Sequence, residues 1–329
     1  MPPLHCRVAG GGACTAAGGV EATSLALAPE APPLPLPLCG EHDAAGAAVA
    51  ARLALASGLA PLERISRLVA GAAADLAAAS GGAPHRWRPA RLFVVMPEAT
   101  PVWPEAGLAA AAAWLAWCGS ERGAPAVGFH AGTLQALQAA QAFLAGAAPQ
   151  AEAIVLAAES WVALGPLQWL DTLDQLATPS SAGVVPGEAA VLLWLKRDEG
   201  TPLWLATADE RLDRHVADIH LGSAWSHAVL AACQAARCEP AEVQRVTRGA
   251  HASHMGLARE EGFVRARNWP HLDPLQAVAD SAVLGYLGHA ATLLDLLLLC
   301  QSKPPVKGAA LASSRSLWRA TSVALREAA

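Results

Sequence analysis

The sequence predicts an α/β fold in which helices cover both faces of β-sheets. Short apolar runs alternate with alanine-rich stretches long enough to form helices, which is typical of βαβα units. The order strand, helix, strand, helix, strand then occurs a second time along the chain. With 329 residues, 53% hydrophobic and 16% charged, the sequence can bury a large core and is unlike a disordered chain.

The first half contains five predicted strands that alternate with helices. The strands are Arg7–Ala9, Arg91–Met96, Ala126–Phe129, Ala153–Ala157 and Glu188–Leu195. The helices are Leu53–Ala79, split near Pro61, then Glu105–Trp117 and Gly132–Ala145. Proline excludes a helix from the loop Pro29–Leu38. We expect buried strands here, because the runs are apolar throughout and do not alternate with polar residues.

The pattern restarts after residues 196–202, so we predict two similar halves, residues 1–198 and 199–329. The second half has predicted strands Leu203–Ala206, Val243–Thr247, Ala309–Ser313 and Thr321–Leu325, and helices Ser223–Arg237 and Ser281–Cys300. The last helix is apolar enough to suggest a membrane span. It contains Tyr286, His289 and Asp295, which are costly in lipid, so we expect a helix buried in a protein core.

Charge and cysteine content narrow the function classes. The formal net charge is −5, which gives no basic surface for nucleic acid. The seven cysteines are scattered and odd in number, a usage typical of reduced thiols and not of a disulfide framework. The first residues lack the basic and apolar regions of a signal peptide. We therefore expect a cytoplasmic protein without a membrane span.

Two motifs suggest a cofactor or a metal but do not fit. Gly10–Gly12 follows a predicted strand, yet a dinucleotide fingerprint needs glycine where Thr15 stands, so we predict a strand-to-helix turn. Cys233, Cys238, His251 and His254 approach a zinc-finger spacing but are one residue short, and the cysteines fall on a helix. We predict neither a cofactor nor a metal. The absence of a G-x-S-x-G turn also argues against an α/β-hydrolase.

Four stretches of the first half match segments of one enzyme family in the right order. They are Val8–Gly18, His130–Leu137, Ile154–Ser160 and Ala182–Leu193. They resemble the thiolase-fold condensing enzymes, especially the β-ketoacyl-acyl carrier protein synthases. His130-Ala-Gly-Thr-Leu-Gln-Ala is similar to the nucleophile turn Cys-Ala-Ser-Gly-Leu-Gln-Ala of that family.

Two further stretches extend the resemblance to the second half. Cys238–His251 resembles the approach to the first catalytic histidine of the family, and Ser281–Ala291 resembles its Lys-Ser-x-x-Gly-His segment. The resemblance spans nearly the whole chain. It implies a five-layered α-β-α-β-α thiolase architecture made of two similar halves, in agreement with the repeated element order.

The resemblance also implies that the catalytic constellation has been lost. His130 stands at the nucleophile position, Tyr286 at one histidine position and Ser281 at the lysine position, while His251 keeps the other histidine. Ser313–Ser322 replaces a glycine-rich loop. Two alternatives remain open: Cys118 as a displaced nucleophile, and His289, not Tyr286, as the second histidine.

Three functions follow as expectations from this resemblance. The first is a non-catalytic scaffold or pairing subunit similar to a chain length factor, as a homodimer or as a heterodimer with a ketosynthase. The second is an accessory protein of a bacterial type VI secretion effector or adaptor system. The third is an acyltransferase or condensing enzyme with an atypical active site. Acyl carrier protein is a further expected partner, and the eleven tryptophans allow an extensive protein interface.

Overall fold

The computed structural model describes residues 6–28, 30–97, 105–119, 126–178, 181–197, 203–207, 211–212, 223–247, 255–272, 283–301, 308–315 and 319–327. The strands are β1 Cys6–Cys14, β2 Leu38–His42, β3 Ala48–Ala50, β4 Arg91–Val95, β5 Val127–His130, β6 Glu152–Ser160, β7 Glu188–Arg197, β8 Leu203–Thr207, β9 Arg211–Leu212, β10 Val243–Val246, β11 Ala309–Arg315 and β12 Arg319–Glu327. The helices are α1 Val20–Ala26, α2 Pro61–Ser80, α3 Ala106–Trp117, α4 Thr133–Gly146, α5 Leu164–Thr172, α6 Ser223–Ala235, α7 Met255–Asn268 and α8 Ala290–Gln301.

The first sheet has the strand order β1-β7-β6-β4-β5. Strands β5, β4 and β6 are parallel, whereas β7 is antiparallel to both of its neighbours, β6 and β1. The carboxyl ends of β4, β5 and β6 therefore meet at one edge of the sheet. In open α/β sheets that edge is where ligands and reacting groups are usually held.

The second sheet repeats this pattern. Its described strands have the order β10-β11-β12-β8, and β9 also pairs with β12. Strand β10 is parallel to β11, and β12 is antiparallel to both β11 and β8. These four strands correspond in order and direction to β4, β6, β7 and β1 of the first sheet. The two halves are thus structurally similar, as the repeated element order predicted.

The two sheets and the helices form five layers. Helices α2 and α3 cover the outer face of the first sheet, α4 and α8 lie between the sheets, and α6 and α7 cover the outer face of the second sheet. Side chains alternate between faces along each strand: Leu92 and Val94 pack outward, whereas Phe93 and Val95 pack between the sheets. The α-β-α-β-α prediction is confirmed.

The glycine cluster Gly10–Gly12 lies inside β1, so the predicted strand-to-helix turn is wrong. A Cβ atom at Gly12 would overlap the carbonyl of Ala72 in α2, and one at Gly11 would overlap the side chain of Leu297 in α8. Glycine is required here because helices approach β1 from both of its faces.

Two predicted helices begin later than expected. Helix α2 starts at Pro61 and not near Leu53, because proline has no N–H to lose at the first position of a helix. The predicted helix Ser281–Cys300 is interrupted: Val283 and Leu284 are helical, but Gly285 and Gly288 have the left-handed φ angles +78° and +56°, so α8 starts only at Ala290. Helix α8 has 12 residues, and no helix in the described ranges is long and apolar enough to cross a membrane.

Candidate functional site

The candidate site lies where β4 and β5 end and α4 begins. His130 is the last residue of β5, and its carbonyl accepts a hydrogen bond from the N–H of Met96, just after β4, at 2.7 Å. Thr133 is the first residue of α4 and is buried. These residues occupy the carboxyl edge of the first sheet.

The imidazole of His130 is packed against an aromatic ring. Its ring stacks on Phe93, with centroids 5.8 Å apart and an angle of 28° between the planes. Its Nε2 atom is buried and has no hydrogen-bond partner in the part of the chain that the structure describes. Burial, followed by the positive charge of Arg91, lowers the pKa of His130 below its ordinary value. This environment favours the neutral imidazole.

His289 lies at the same junction and is held by three hydrogen bonds. Its Nδ1 atom bonds the carbonyl of Met96 at 2.9 Å, and its backbone N–H donates to Glu159 Oε1 at 2.8 Å. Its carbonyl accepts from the hydroxyl of Thr133 at 3.0 Å. Because a carbonyl only accepts, Nδ1 must carry the proton that faces Met96.

Glu159, the penultimate residue of β6, anchors the turn before α8. Its Oε2 atom accepts a hydrogen bond from the indole N–H of Trp161 at 3.0 Å, and its Oε1 atom lies 3.9 Å from His289 Nδ1. Both Glu159 and His289 are buried. A Cβ atom at Gly288 would overlap this carboxylate. The carboxylate, the imidazole and the glycine therefore form one packed unit.

The comparisons with known proteins concern structure alone. No protein-family model matches the sequence, and no curated protein matches it. The ishigamide ketosynthase/chain length factor has a TM-score of 0.68 at 17% identity over 99% of this chain and 100% of that chain. A chain of a ketosynthase in complex with its chain length factor from Xenorhabdus doucetiae has a TM-score of 0.61 at 18% identity, with coverage of 99% and 98%.

A β-ketoacyl synthase from Burkholderia phymatum is similar to the same extent, with a TM-score of 0.62 at 14% identity over 99% of this chain and 100% of that chain. The chain has the thiolase fold of the ketosynthases. None of these three structures is a secretion protein, so the comparisons give the secretion alternative no support.

Of the catalytic positions that the resemblance implies, the structure describes two. His130 lies at the turn between β5 and α4, which is the nucleophile turn of the thiolase fold in the resemblance. Tyr286 is completely buried, and its ring packs edge-to-face on Trp161 with centroids 4.7 Å apart. His251 and Ser281 lie outside the described residues, as does the centre of the segment that replaces the glycine-rich loop.

Cys118 lies at the opposite end of the first sheet. It follows α3, and its carbonyl accepts a hydrogen bond at 2.7 Å from Nε of Arg88, which precedes β4. Burial raises the pKa of its thiol to about 12. His130 lies at the carboxyl ends of β4 and β5, whereas Cys118 lies near their amino ends. Cys118 therefore cannot replace His130 as the nucleophile of a thiolase-fold site.

A buried ion pair close to the site was not predicted from the sequence. Glu188, the first residue of β7, accepts hydrogen bonds from Arg64 Nη1 at 2.7 Å and from Ser160 at 2.9 Å. The backbone N–H groups of Ala54 and Leu55 donate to the same carboxylate. The pair fixes the beginning of β7 to α2 and to the end of β6. The one sequence signal was a glutamate in an otherwise apolar run.

The charged residue in the apolar sequence of α8 is Asp295, and its hydrogen bonds explain its presence there. Its Oδ2 atom accepts from the hydroxyl of Thr247 at 2.9 Å, and that hydroxyl accepts from the N–H of Ser313 at 3.1 Å. Asp295 thus connects α8 to the ends of β10 and β11, at the carboxyl edge of the second sheet.

The structure offers no built metal centre in its described ranges. No group of three or more histidine, cysteine or carboxylate side chains is arranged there to hold a metal ion. His251 and His254 of the zinc-like pattern lie outside those ranges. Three cavities, one along α7, one between α1, α2 and α8 and one at the end of α6, have none of His130, His289 and Tyr286 in their walls.

Proposed function

We propose that this chain is a non-catalytic ketosynthase-like protein that pairs with a second thiolase-fold chain, in the manner of a chain length factor. The observation that carries the proposal is the condition of His130. It stands at the nucleophile position of the resemblance, yet its ring packs on Phe93 and its Nε2 atom is buried without a hydrogen-bond partner among the described residues.

A condensing enzyme must hold its acyl chain as a stable covalent ester while the second substrate binds. A cysteine forms a thioester that persists, whereas an acylimidazole hydrolyses readily. A nucleophilic histidine also needs an accessible lone pair and a group that takes up its proton. Among the described residues, the buried Nε2 atom of His130 has neither, which supports a role without acyl transfer.

Tyr286 supports the same conclusion. The resemblance places a catalytic histidine there, whose N–H would stabilise the enolate. A phenol packed edge-to-face on Trp161 is aimed into the core, and its ring contributes to the cluster formed with α5 and the second sheet. Both His130 and Tyr286 therefore support a structural role for these positions and not a catalytic one.

The outer edge of β5 is the surface we propose for pairing. Strand β5 is an edge strand of the first sheet, and no described strand pairs with its outer edge. Its Phe129 side chain is 44% exposed. An exposed sheet edge with an apolar side chain is a template for another strand. Similar solved structures include a ketosynthase in complex with its chain length factor, which is consistent with such a pair.

The test measures association of the full chain. Light scattering after size-exclusion chromatography is expected to give a dimer, or a monomer that pairs when it is co-expressed with β-ketoacyl synthases of the same genome. Phe129→Asp on β5 should abolish pairing. Phe263→Asp is the matched control, because Phe263 on α7 is 50% exposed and far from β5 in sequence and layer. The proposal is contradicted if the chain pairs neither with itself nor with a co-expressed β-ketoacyl synthase. It is also contradicted if the two variants affect pairing equally.

An acyltransferase with an atypical site is a second candidate. The observation that favours it is the pair of His289 and Glu159, 3.9 Å apart beside Thr133 at the nucleophile turn. Incubation with acyl-CoA and acyl-acyl carrier protein, followed by intact mass, separates the two candidates. A stable acyl adduct that Thr133→Ala, His130→Ala or His289→Gln removes would favour the enzyme and overturn the scaffold proposal.

A further inference from the structure

Two cysteines meet at the end of α6. The N–H of Cys238 donates to the carbonyl of Cys233 at 2.9 Å, and the N–H of Arg237 donates to the carbonyl of Gln234 at 3.0 Å. Arg237 has a left-handed φ of 55°. These bonds and this angle define a Schellman motif, in which Cys233 occupies the third position before the cap and Cys238 the second position after it.

The motif brings the two thiols into contact. Side chains at these two positions of a Schellman motif usually touch each other. Here both cysteines are buried, Cys233 at 1% and Cys238 at 7% exposure, and their thiols are hydrogen-bonded. A disulfide requires close Cα atoms and converging Cβ vectors. Thiols already in hydrogen-bond contact on a rigid cap satisfy that requirement without a large backbone movement.

A cavity gives small molecules access to this pair. It has a volume of about 400 Å³, and its walls include Cys233, Cys238, Gln234, Arg237 and Glu239. The dithiol is therefore buried from bulk solvent but borders a space large enough for a small oxidant.

We propose that Cys233 and Cys238 form a modification site at which hydrogen peroxide produces an intramolecular disulfide. The sulfur of Cys238, the more exposed of the two, attacks one peroxide oxygen, the O–O bond breaks, and the leaving hydroxide takes the thiol proton as water. The resulting sulfenic acid is attacked by the sulfur of Cys233, and the S–O bond breaks. The hydroxyl of the sulfenic acid leaves together with the thiol proton of Cys233 as a second water. Two thiols are oxidised by two electrons, and one peroxide is reduced to two waters.

Burial supports the order of these steps. It raises the pKa of Cys233 to about 12, and the neighbouring Cys238 adds to this effect. Cys233 is therefore a poor first nucleophile and acts as the resolving thiol. We expect the reaction to be slow at neutral pH and faster as the pH rises.

The sequence provides a direct assay. Trypsin cleaves after Arg237 and so separates the two cysteines into the peptides 215–237 and 238–245. In the reduced protein these peptides have separate masses. After treatment of the folded full chain with peroxide, non-reducing digestion should give the two peptides joined, with the loss of two hydrogen atoms. A reductant should restore the separate peptides.

The controls use single substitutions in the full chain. Cys233→Ser and Cys238→Ser should each abolish the joined peptides, whereas Cys118→Ser, which alters a buried cysteine elsewhere, should leave them unchanged. Circular dichroism checks that the variants are folded. Sulfinic or sulfonic acid at Cys238 with no joined peptides would overturn the proposal. So would a random mixture of pairings among the seven cysteines, since that pattern indicates oxidation of unfolded chains.

Discussion

The backbone N–H of His289 donates to the carboxylate of Glu159 at 2.8 Å, and this bond connects the turn before α8 to the end of β6. The two residues are 130 positions apart in the sequence. Helix α8 belongs to the second half and β6 to the first, so the contact is one of the points at which the halves hold each other. The left-handed turn at Gly288 makes it possible.

Gly288→Ala is expected to lower the free energy of unfolding by roughly 2–5 kcal/mol. A left-handed alanine costs about 1–2 kcal/mol, and displacement of a buried carboxylate from its donors costs about 1–3 kcal/mol more. Urea unfolding followed by tryptophan fluorescence measures the difference.

Gly146→Ala is the matched control for this variant. Gly146 ends α4, has no left-handed φ, and no atom lies within 4 Å of the Cβ it would gain. We expect a change of less than about 1 kcal/mol, in the stabilising direction, because alanine restricts the unfolded chain. Equal losses for both variants would contradict the role of Gly288.

The regular elements of the fold were largely predictable. Buried strands such as Glu188–Arg197 contain uninterrupted apolar runs, here Ala189–Leu195, and such runs predict buried structure. Helix α5, Leu164–Thr172, was missed because Gly165 and Pro166 suggest a break, although proline is tolerated in the first turn of a helix. The glycines of β1 were misread for a related reason: their meaning depends on Ala72 and Leu297, which are distant in sequence.

The site was predictable only in part. The resemblance identified His130 at its turn and offered His289 as an alternative histidine. It gave no indication that Met96 would matter, because Met96 acts through its carbonyl, which every residue has, and is 193 positions from His289. The pairing of Arg64 with Glu188 across 124 positions escaped for the same reason. Long-range polar contacts depend on the topology, which one sequence does not specify.

Arg64→Ala is expected to destabilise the protein by about 3–5 kcal/mol. Arg64 bonds Glu188 with both side chains buried, and removal of one partner leaves an uncompensated buried charge. Arg67→Ala on the same helix is the matched control. Arg67 pairs with Glu63 at the surface, with side chains 59% and 47% exposed, so its loss should cost less than about 1 kcal/mol.

A second substitution tests the physical reason for this difference. Glu188→Gln in the Arg64→Ala background removes the buried charge and keeps an oxygen that accepts from Ala54 and Leu55. We expect it to recover part of the lost stability, measured by urea unfolding at constant pH. A double variant as unstable as the sum of the single ones would mean that the two residues act independently.

His130 should make the stability of the protein depend on pH. Burial and Arg91 lower its pKa in the folded state, so the unfolded chain binds the proton first as the pH falls. The stability that neutral His130 contributes is therefore complete above the ordinary histidine pKa of about 6.5. It is lost as the pH falls from there toward the lower folded-state pKa. His130→Gln should accordingly lose less stability than the wild type between neutral and mildly acidic pH.

Titration of the His130 ring signal by NMR should give a midpoint below 6.5 in the wild type and a higher one in Arg91→Gln. A midpoint above the ordinary value, or one that Arg91→Gln leaves in place, would contradict the packing of the imidazole described at the end of β5.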